Sequence, residues 1–188
     1  MKTFRIVGLI ILALIIAFFI GAFFLPTEVK LDKKITVNQN IDSVFELVND
    51  FHNWKEWSPW YDTATTYTIT GPKKGKGAIM RWLNKKNMVG ERTIDSVHYP
   101  DFIRVTTRFR EEHSEAFIDF GFTPYGNDST VVSVAFEMDY NFSYPFGRYV
   151  AWMIQKGANF TFPIALKNLK QLAENKTDKN PESENANP

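Results

Sequence analysis

The first pattern along the chain is an apolar run near the N-terminus, which covers residues 6–25 without a single charge. A run of 20 residues is long enough to cross the hydrocarbon core of a bilayer as a helix. A cleaved signal peptide is the alternative, but its apolar region usually has only ~7–15 residues and ends at small residues. This run is longer and ends in Phe-Phe-Leu-Pro, which favours an uncleaved transmembrane helix within residues 1–26.

The next segment combines a strand with two short helices. Residues 28–37 end in an alternating apolar pattern that is typical of a strand. Asn40 is a suitable N-cap for the helix that follows, where apolar residues recur at helical spacing from Ile41 to Val48. Residues 50–60 (DFHNWKEWSPW) predict a second short helix, which Pro59 interrupts because its nitrogen carries no hydrogen.

The remainder of the chain reads as strands followed by one long helix. Alternating patterns predict strands at residues 65–70, 78–83, 90–97, 102–109, 115–122 and 130–140. Their short connections imply an antiparallel meander. An apolar stripe at helical spacing predicts a helix from about residue 145 to residue 173, with Pro163 inside it. Residues 174–188 are polar and are expected to form a disordered tail.

These elements predict an α+β fold for residues 27–173. A curved antiparallel sheet wraps around the long C-terminal helix, and the two short helices after the first strand close one end. Such an arrangement is hard to fill completely. A cavity between the helix and the concave face of the sheet is therefore expected, and it suits an apolar ligand.

Composition and charge narrow the function. The formal net charge of +1 argues against nucleic acid as a partner, and the absence of cysteine excludes disulfides and thiolate chemistry. The glycine- and lysine-containing residues 71–77 lack the ending of a phosphate-binding loop. The three histidines, His52, His98 and His113, show no metal-binding spacing. We predict no catalytic group, metal or cofactor.

The charges that flank the apolar run bear on membrane orientation. Lys2 and Arg5 precede the run, and Lys30, Lys33 and Lys34 follow it, so the positive-inside rule is nearly balanced. Because so short an N-terminal segment resembles a signal anchor, we expect a single-pass protein whose domain lies on the extracytoplasmic side.

Three separated motifs carry a family resemblance over residues 30–173. They are ITVNQNIDSVFELVNDFHNWKEWSPW, GKGAIMRW and IALKNLKQLAE. In this order they resemble the START/polyketide-cyclase superfamily (SRPBCC), which has the helix-grip fold. Its members bind lipids, sterols, polyketides and plant hormones, and some are cyclases, dehydratases or co-chaperones. The resemblance implies a cavity for a hydrophobic ligand without implying a reaction, since one fold hosts many activities.

The tryptophan-rich stretch at residues 50–60 allows three interpretations. Trp54, Trp57 and Trp60 could pack in the core, line a pocket or form an exposed patch that touches lipid or protein. Core packing is favoured because each indole buries a large apolar area. Trp57 and Trp60 remain candidates for the rim of the ligand pocket.

Other candidate ligand-binding residues lie on the strands and the last helix. They are Trp82, Phe102, Phe117, Phe122, Phe136, Tyr140, Trp152, Met153 and Phe160. For any single one of them, ordinary core packing is the simpler interpretation. Arg104 and Arg108 share one face of a strand, and the pattern favours the solvated convex face. Alternatively, an inward arginine such as Arg104 anchors a carboxylate or phosphate head group, and Arg92 presents the same choice.

Three functional hypotheses follow. The first is a membrane-anchored binding domain for a hydrophobic small molecule such as a lipid, isoprenoid or polyketide-like compound. The second is an enzyme of the cyclase or dehydratase type, which needs at least two inward polar groups near one ligand position. The third is a protein-interaction module with a filled core. The oligomeric state is left open.

Overall fold

The computed structural model describes residues 2–83, 89–109, 114–139 and 143–177. Its helices are α1 (Lys2–Phe23), α2 (Ile41–Asn49), α3 (Trp54–Trp57) and α4 (Phe146–Thr177). Its strands are β1 (Val29–Val37), β2 (Thr66–Thr70), β3 (Ile79–Leu83), β4 (Val89–His98), β5 (Phe102–Phe109), β6 (Ser114–Tyr125) and β7 (Ser129–Asp139). The predicted α+β class and the predicted order of elements are confirmed.

The strands form one seven-stranded antiparallel sheet in the order β1-β7-β6-β5-β4-β3-β2. Strands β2 to β7 are a meander, and β1 pairs with β7 from Val29↔Met138 to Val37↔Thr130. Helix α4 crosses the inner face of this sheet and buries Phe162, Leu166 and Leu169 against it. The sheet therefore wraps around the C-terminal helix, as the helix-grip fold predicts.

Helix α2 is satisfied at both ends. At its N-terminus the Asn40 side chain accepts a hydrogen bond of 2.9 Å from the backbone nitrogen of Ser43, which confirms the predicted cap. The last four carbonyls of a helix have no partner within the helix. Here those carbonyls, of residues 46 to 49, accept hydrogen bonds from Asn53 Nδ2, Trp57 Nε1, Trp54 Nε1 and the nitrogen of Gly75.

Helix α4 continues four residues past its predicted end, into the segment expected to be a disordered tail. The side chain of Glu174 accepts a hydrogen bond of 2.8 Å from the nitrogen of Asn38 and lies 3.6 Å from Lys170. These contacts tie the end of α4 to the end of β1. Because the partners lie more than 130 positions apart in sequence, the local polar composition gave no sign of them.

Helix α1 is exposed along almost its whole length and is the described helix that is long and apolar enough to span a membrane. Its C-terminal part contacts the beginning of α4. The ring of Phe18 stacks on Tyr149 at 4.7 Å, and the hydroxyl of Tyr149 donates a hydrogen bond of 2.9 Å to the carbonyl of Phe18. A ring contact and a hydrogen bond thus join α1 to α4 close to the point where the domain begins.

Candidate functional site

A partly open cavity of about 760 Å³ lies between the inner face of the sheet and the N-terminal half of α4. The sheet contributes Tyr67, Trp82, Arg92, Thr107, Phe109, Ala116, Ile118, Phe136 and Met138. Helix α4 contributes Val150, Ile154, Gly157, Ala158, Thr161 and Phe162, and Trp60 and Thr65 complete the lining. The volume and the mainly apolar lining are those of a small-molecule site.

Gly157 lines the cavity without contributing a side chain. A Cβ atom built at this position meets no other atom within 4 Å. Glycine inside a helix is less stable than alanine by roughly 0.5–1 kcal/mol, and no close packing at Gly157 offsets that loss. A side chain at this position extends into open space beside the cavity.

Arg92 contributes the charged group of the lining. Arg92 faces the inner side of the sheet together with Gly90 and Ile94, whereas Glu91 points outward and pairs with Arg81 at 2.7 Å. The guanidinium carbon of Arg92 lies 5.6 Å from the ring centres of Trp54 and Trp60 and 5.2 Å from that of Trp82. Three indoles therefore surround one cation, an arrangement that stabilises it by cation–π attraction.

The protonation state of Arg92 follows from its burial. Burial lowers the pKa of Arg92 from 12.5 to about 10, because a low-dielectric surrounding disfavours the charged form. The guanidinium nevertheless stays protonated at neutral pH. Its Nε donates a hydrogen bond of 3.3 Å to the hydroxyl of Thr107, which also lines the cavity. The side chain thus presents a positive charge to the cavity.

Trp82 reaches its position because its cross-strand partner is a glycine. Trp82 on β3 pairs with Gly90 on β4, and the indole folds across the glycine. A Cβ at Gly90 overlaps Cζ2 and Cε2 of that indole. Gly90 is therefore required by the close approach of a side chain rather than by an unusual backbone conformation. The absence of a side chain at Gly90 allows the Trp82 ring to lie beside Arg92.

Two glycine-to-alanine changes are expected to act in opposite directions. Gly90→Ala forces the Trp82 ring out of place and should lower the free energy of unfolding by ~1–3 kcal/mol, as overpacking does. Gly157→Ala meets open space and should raise it by roughly 0.5–1 kcal/mol. Urea unfolding of both variants in detergent micelles tests the pair. Equal stability of the Gly90→Ala variant and the wild type contradicts the close approach of Trp82.

The tryptophan-rich stretch divides between structure and site. Trp54 and Trp57 are 0% and 2% exposed. Their indole nitrogens donate to the carbonyls of Val48 at 2.9 Å and Leu47 at 3.1 Å. These two indoles pack in the core and also complete the C-terminus of α2. Trp60 instead lines the cavity, with its ring 4.9 Å from that of Phe162.

The other predicted ligand-binding residues fall into separate groups. Trp60, Trp82 and Phe136 line the cavity together. Trp57 and Phe122 are buried in the core. Phe102, Arg104 and Phe117 lie on the outer face of the sheet, whereas Trp152, Met153 and Phe160 are exposed on α4. Tyr140 lies outside the described residues.

Arg104 and Arg108 occupy the solvated outer face that the strand pattern favours. Arg104 pairs with Asp119 through two hydrogen bonds of 2.7 and 2.6 Å, and Arg108 pairs with Glu115 at 2.7 Å. The hydrogen bond to Asp119 raises the pKa of Arg104, opposite to the effect of burial on Arg92. The charge of Arg104 is thus balanced by Asp119 on the neighbouring strand, and the Arg104 side chain lies away from the cavity.

Five polar residues that line the cavity are absent from the candidates predicted from the sequence: Thr65, Tyr67, Arg92, Thr107 and Thr161. A usable signal existed for Arg92, since Gly90, Arg92 and Ile94 share one face and Ile94 is a core residue. That alternation places Arg92 inward. The same alternation applies to Tyr67, which shares a face of β2 with Ile69, and to Thr107, which shares a face of β5 with Val105 and Phe109.

The described residues contain no group of three or more His, Asp or Glu side chains that could hold a metal ion. The polar groups of the cavity are a guanidinium and hydroxyls, and a guanidinium does not ligate metals. In this part of the chain, the site is suited to an organic ligand.

Comparison with known proteins places the chain in a family. The sequence model of the family described as polyketide cyclase / dehydrase and lipid transport matches residues 28–174, which is most of the chain. The protein belongs to this family. The match spans β1 to α4 and so includes every wall of the cavity. A search of curated proteins found no match.

Solved structures share the fold at low sequence identity. Norcoclaurine synthase from Thalictrum flavum, in complex with dopamine and hydroxybenzaldehyde, is 13% identical with a TM-score of 0.60, covering 79% of this chain and 89% of that one. A protein of unknown function from Staphylococcus aureus is 12% identical with a TM-score of 0.61, covering 81% and 98%. At such identities the likeness shows the fold alone.

Proposed function

We propose that the protein is a membrane-anchored binding domain that holds a hydrophobic small molecule in the cavity between the sheet and α4. The observation that carries this proposal is the cavity of about 760 Å³, which is lined mainly by apolar side chains. Apolar burial supplies the binding energy, and the few polar groups orient the ligand. The size of the cavity weighs against a domain with a filled core.

The polar lining supports binding rather than catalysis. Among the described residues around the cavity there is no Asp, Glu or His, the usual proton-transfer groups. The hydroxyl of Tyr67 donates to the carbonyl of Trp60 at 3.0 Å and accepts from the nitrogen of Asp62 at 3.1 Å. It is thereby engaged in holding the loop before β2. Arg92 is left as a charged group without an acid–base partner in this lining.

Two further observations support the same function. The family includes lipid transport proteins by its description, and norcoclaurine synthase binds small aromatic molecules on this fold. Helix α1 supplies an anchor because its apolar run matches the thickness of a bilayer. In this proposal α1 holds the domain beside the membrane, on the extracytoplasmic side, within reach of apolar compounds.

The binding proposal is tested with the full chain in detergent micelles. Binding of a panel of apolar fluorescent probes is measured by titration, and organic extraction of the purified protein identifies any bound compound. Saturable binding of at least one probe at a ratio of one per chain is expected. If every probe is excluded and the extract is empty, the domain does not act as a hydrophobic carrier.

The anchoring proposal is tested separately, by alkaline carbonate extraction of membranes from cells that express the full chain. The protein is expected to stay in the membrane pellet, because an inserted helix is not released by high pH. Cleavage within residues 1–26, seen as a mass loss in the intact protein, contradicts the anchor and leaves the binding proposal standing.

A further inference from the structure

The cavity is lined by a half-buried cation for which the described part of the chain provides no carboxylate within 4.0 Å. Arg104, Arg108 and Arg81 each pair with an acidic residue on the outer face of the sheet. Arg92 instead has aromatic rings around it and a hydrogen bond from its Nε to Thr107. Withdrawing a charge from water is unfavourable. The aromatic rings offset part of that cost, and an acidic ligand would offset the remainder.

Building on the proposed function, we propose that the ligand is an amphiphile with an acidic head group, a carboxylate or a phosphate, bound by Arg92. The guanidinium offers a planar set of donors that matches either head group. The hydroxyl of Thr107 lies beside it as a further hydrogen-bonding group. The apolar tail then runs along α4, past Ile154 and Gly157.

The three indoles explain why an arginine serves here. Cation–π contacts with Trp54, Trp60 and Trp82 keep the guanidinium charged and in position when the cavity is empty. The aromatic rings accept no conventional hydrogen bond, so the guanidinium N–H groups other than Nε remain available to a ligand. The arginine is thus held in advance of binding, which reduces the ordering that binding requires.

The test compares charged and neutral ligands that share the same tail. cis-Parinaric acid and its methyl ester are titrated into the full chain in micelles, and lysophosphatidic acid and monoacylglycerol are compared by displacement. The acid is expected to bind at least about tenfold more tightly than the ester, as for a charge-assisted hydrogen bond. The phosphate arm shows which of the two head groups the site prefers.

The matched variants are Arg92→Met and Arg104→Met. Arg92→Met should abolish the preference for the acid, and Arg104→Met, on the outer face, should keep it. Arg92→Lys keeps the charge and should retain part of the preference, which guards against a loss that merely reflects misfolding. Equal binding of acid and ester by the wild type overturns the inference alone. Failure of both ligands to bind overturns it together with the proposed function.

A second inference rests on a different observation, the contact between α1 and the start of α4. Phe18 and Phe19 lie within the apolar run, about 10 Å before its end at Leu25 by the helical rise. The hydroxyl of Tyr149 donates to the carbonyl of Phe18, and that of Tyr144 donates to the carbonyl of Phe19. A residue that contacts this level of an inserted helix shares its depth in the membrane.

The structure therefore assigns the segment from Tyr144 to Met153 to the outer part of the bilayer that holds α1, at the interface and just below it. Its exposed side chains suit that region: Phe146 is 72% exposed and Met153 is 60% exposed, and Tyr144 and Trp152 accompany them. Tyrosine and tryptophan are the residues enriched at membrane interfaces. Because Val150 on the same turns lines the cavity, the cavity wall lies next to the lipid.

This inference is tested on the full chain in nanodiscs, using the absence of native cysteine. A nitroxide label at Met153→Cys should collide more often with oxygen than with a water-soluble nickel complex. A label at Asn127→Cys should show the reverse, because the β6–β7 turn lies at the opposite end of the sheet from the start of β1. Equal nickel access at both sites, in protein that resists carbonate extraction, overturns the inference. Release by carbonate overturns it together with the anchor.

Discussion

Replacing Gly157 by tryptophan is expected to weaken binding of an apolar ligand at least about tenfold, or ~1.4 kcal/mol, while the domain remains folded. The position lines the cavity, and a Cβ there has no neighbour within 4 Å. The indole therefore extends into the open space beside the cavity, where we expect it to obstruct the ligand. Helix stability does not suffer, because tryptophan is a better helix former than glycine.

The control for this change is Asn159→Trp, two positions further along α4. Asn159 is exposed and is not among the residues that line the cavity. The same bulk added there should leave affinity unchanged. Titration with the probe that binds the wild type gives both affinities. An unchanged affinity in the Gly157→Trp variant contradicts the assignment of the ligand to this cavity.

Replacing Trp54 by alanine is expected to lower the free energy of unfolding by ~3–5 kcal/mol, one of the largest losses available in this domain. The indole is fully buried and packs against Phe51, Trp57 and Phe120. Its removal also leaves the carbonyl of Val48, at the end of α2, without a donor. The free-energy cost of the cavity and that of the unsatisfied buried carbonyl add together.

Trp152→Ala is the matched control for Trp54→Ala. Trp152 is 44% exposed on α4, so its removal should change the unfolding free energy by less than about 1 kcal/mol. Urea unfolding in micelles, followed by far-UV circular dichroism, measures both. Trp54→Phe separates the two contributions, since it keeps most of the volume but lacks the donor. Similar losses for Trp54→Ala and Trp152→Ala contradict the structural role of residues 50–60.

The secondary structure could be predicted because each element carries its own local signal. The bounds of β5 match the prediction, and the Asn40 cap and the change of period after residue 65 locate their elements closely. The resemblance supplied what local pattern does not, namely how the sheet and the last helix meet. The end of α4 was placed too early because Glu174 is held by Asn38, a contact between opposite ends of the domain.

The site was predicted less completely because the inner face of each strand has to be known. On β6 the inward residues include Ala116 and Ile118, so Phe117 faces outward despite its size. A shift of one position exchanges the faces of a strand. The residues of the apolar stripe on α4 lie in two different environments. Gly157 borders the cavity, whereas Met153 and Phe160 are exposed. Periodicity alone does not separate a core face from an exposed apolar one.

Arg92 illustrates the same limit in the opposite sense. A charged residue on a strand is normally assigned to the solvated face, and that rule correctly places Arg104 and Arg108. It fails for Arg92 because three indoles, from α3, its following loop and β3, make an interior position tolerable for a cation. Departures from the binary pattern of this kind are expected at functional sites.

The central claim is that the cavity between the sheet and α4 holds a hydrophobic ligand. The most direct test is native mass spectrometry of the full chain released from micelles, wild type beside the Gly157→Trp variant. We expect one additional mass of lipid-like size on the wild type, with organic extraction giving its identity, and loss of that mass in the variant. A wild-type protein without any bound mass, or a mass that the variant retains in full, contradicts the claim.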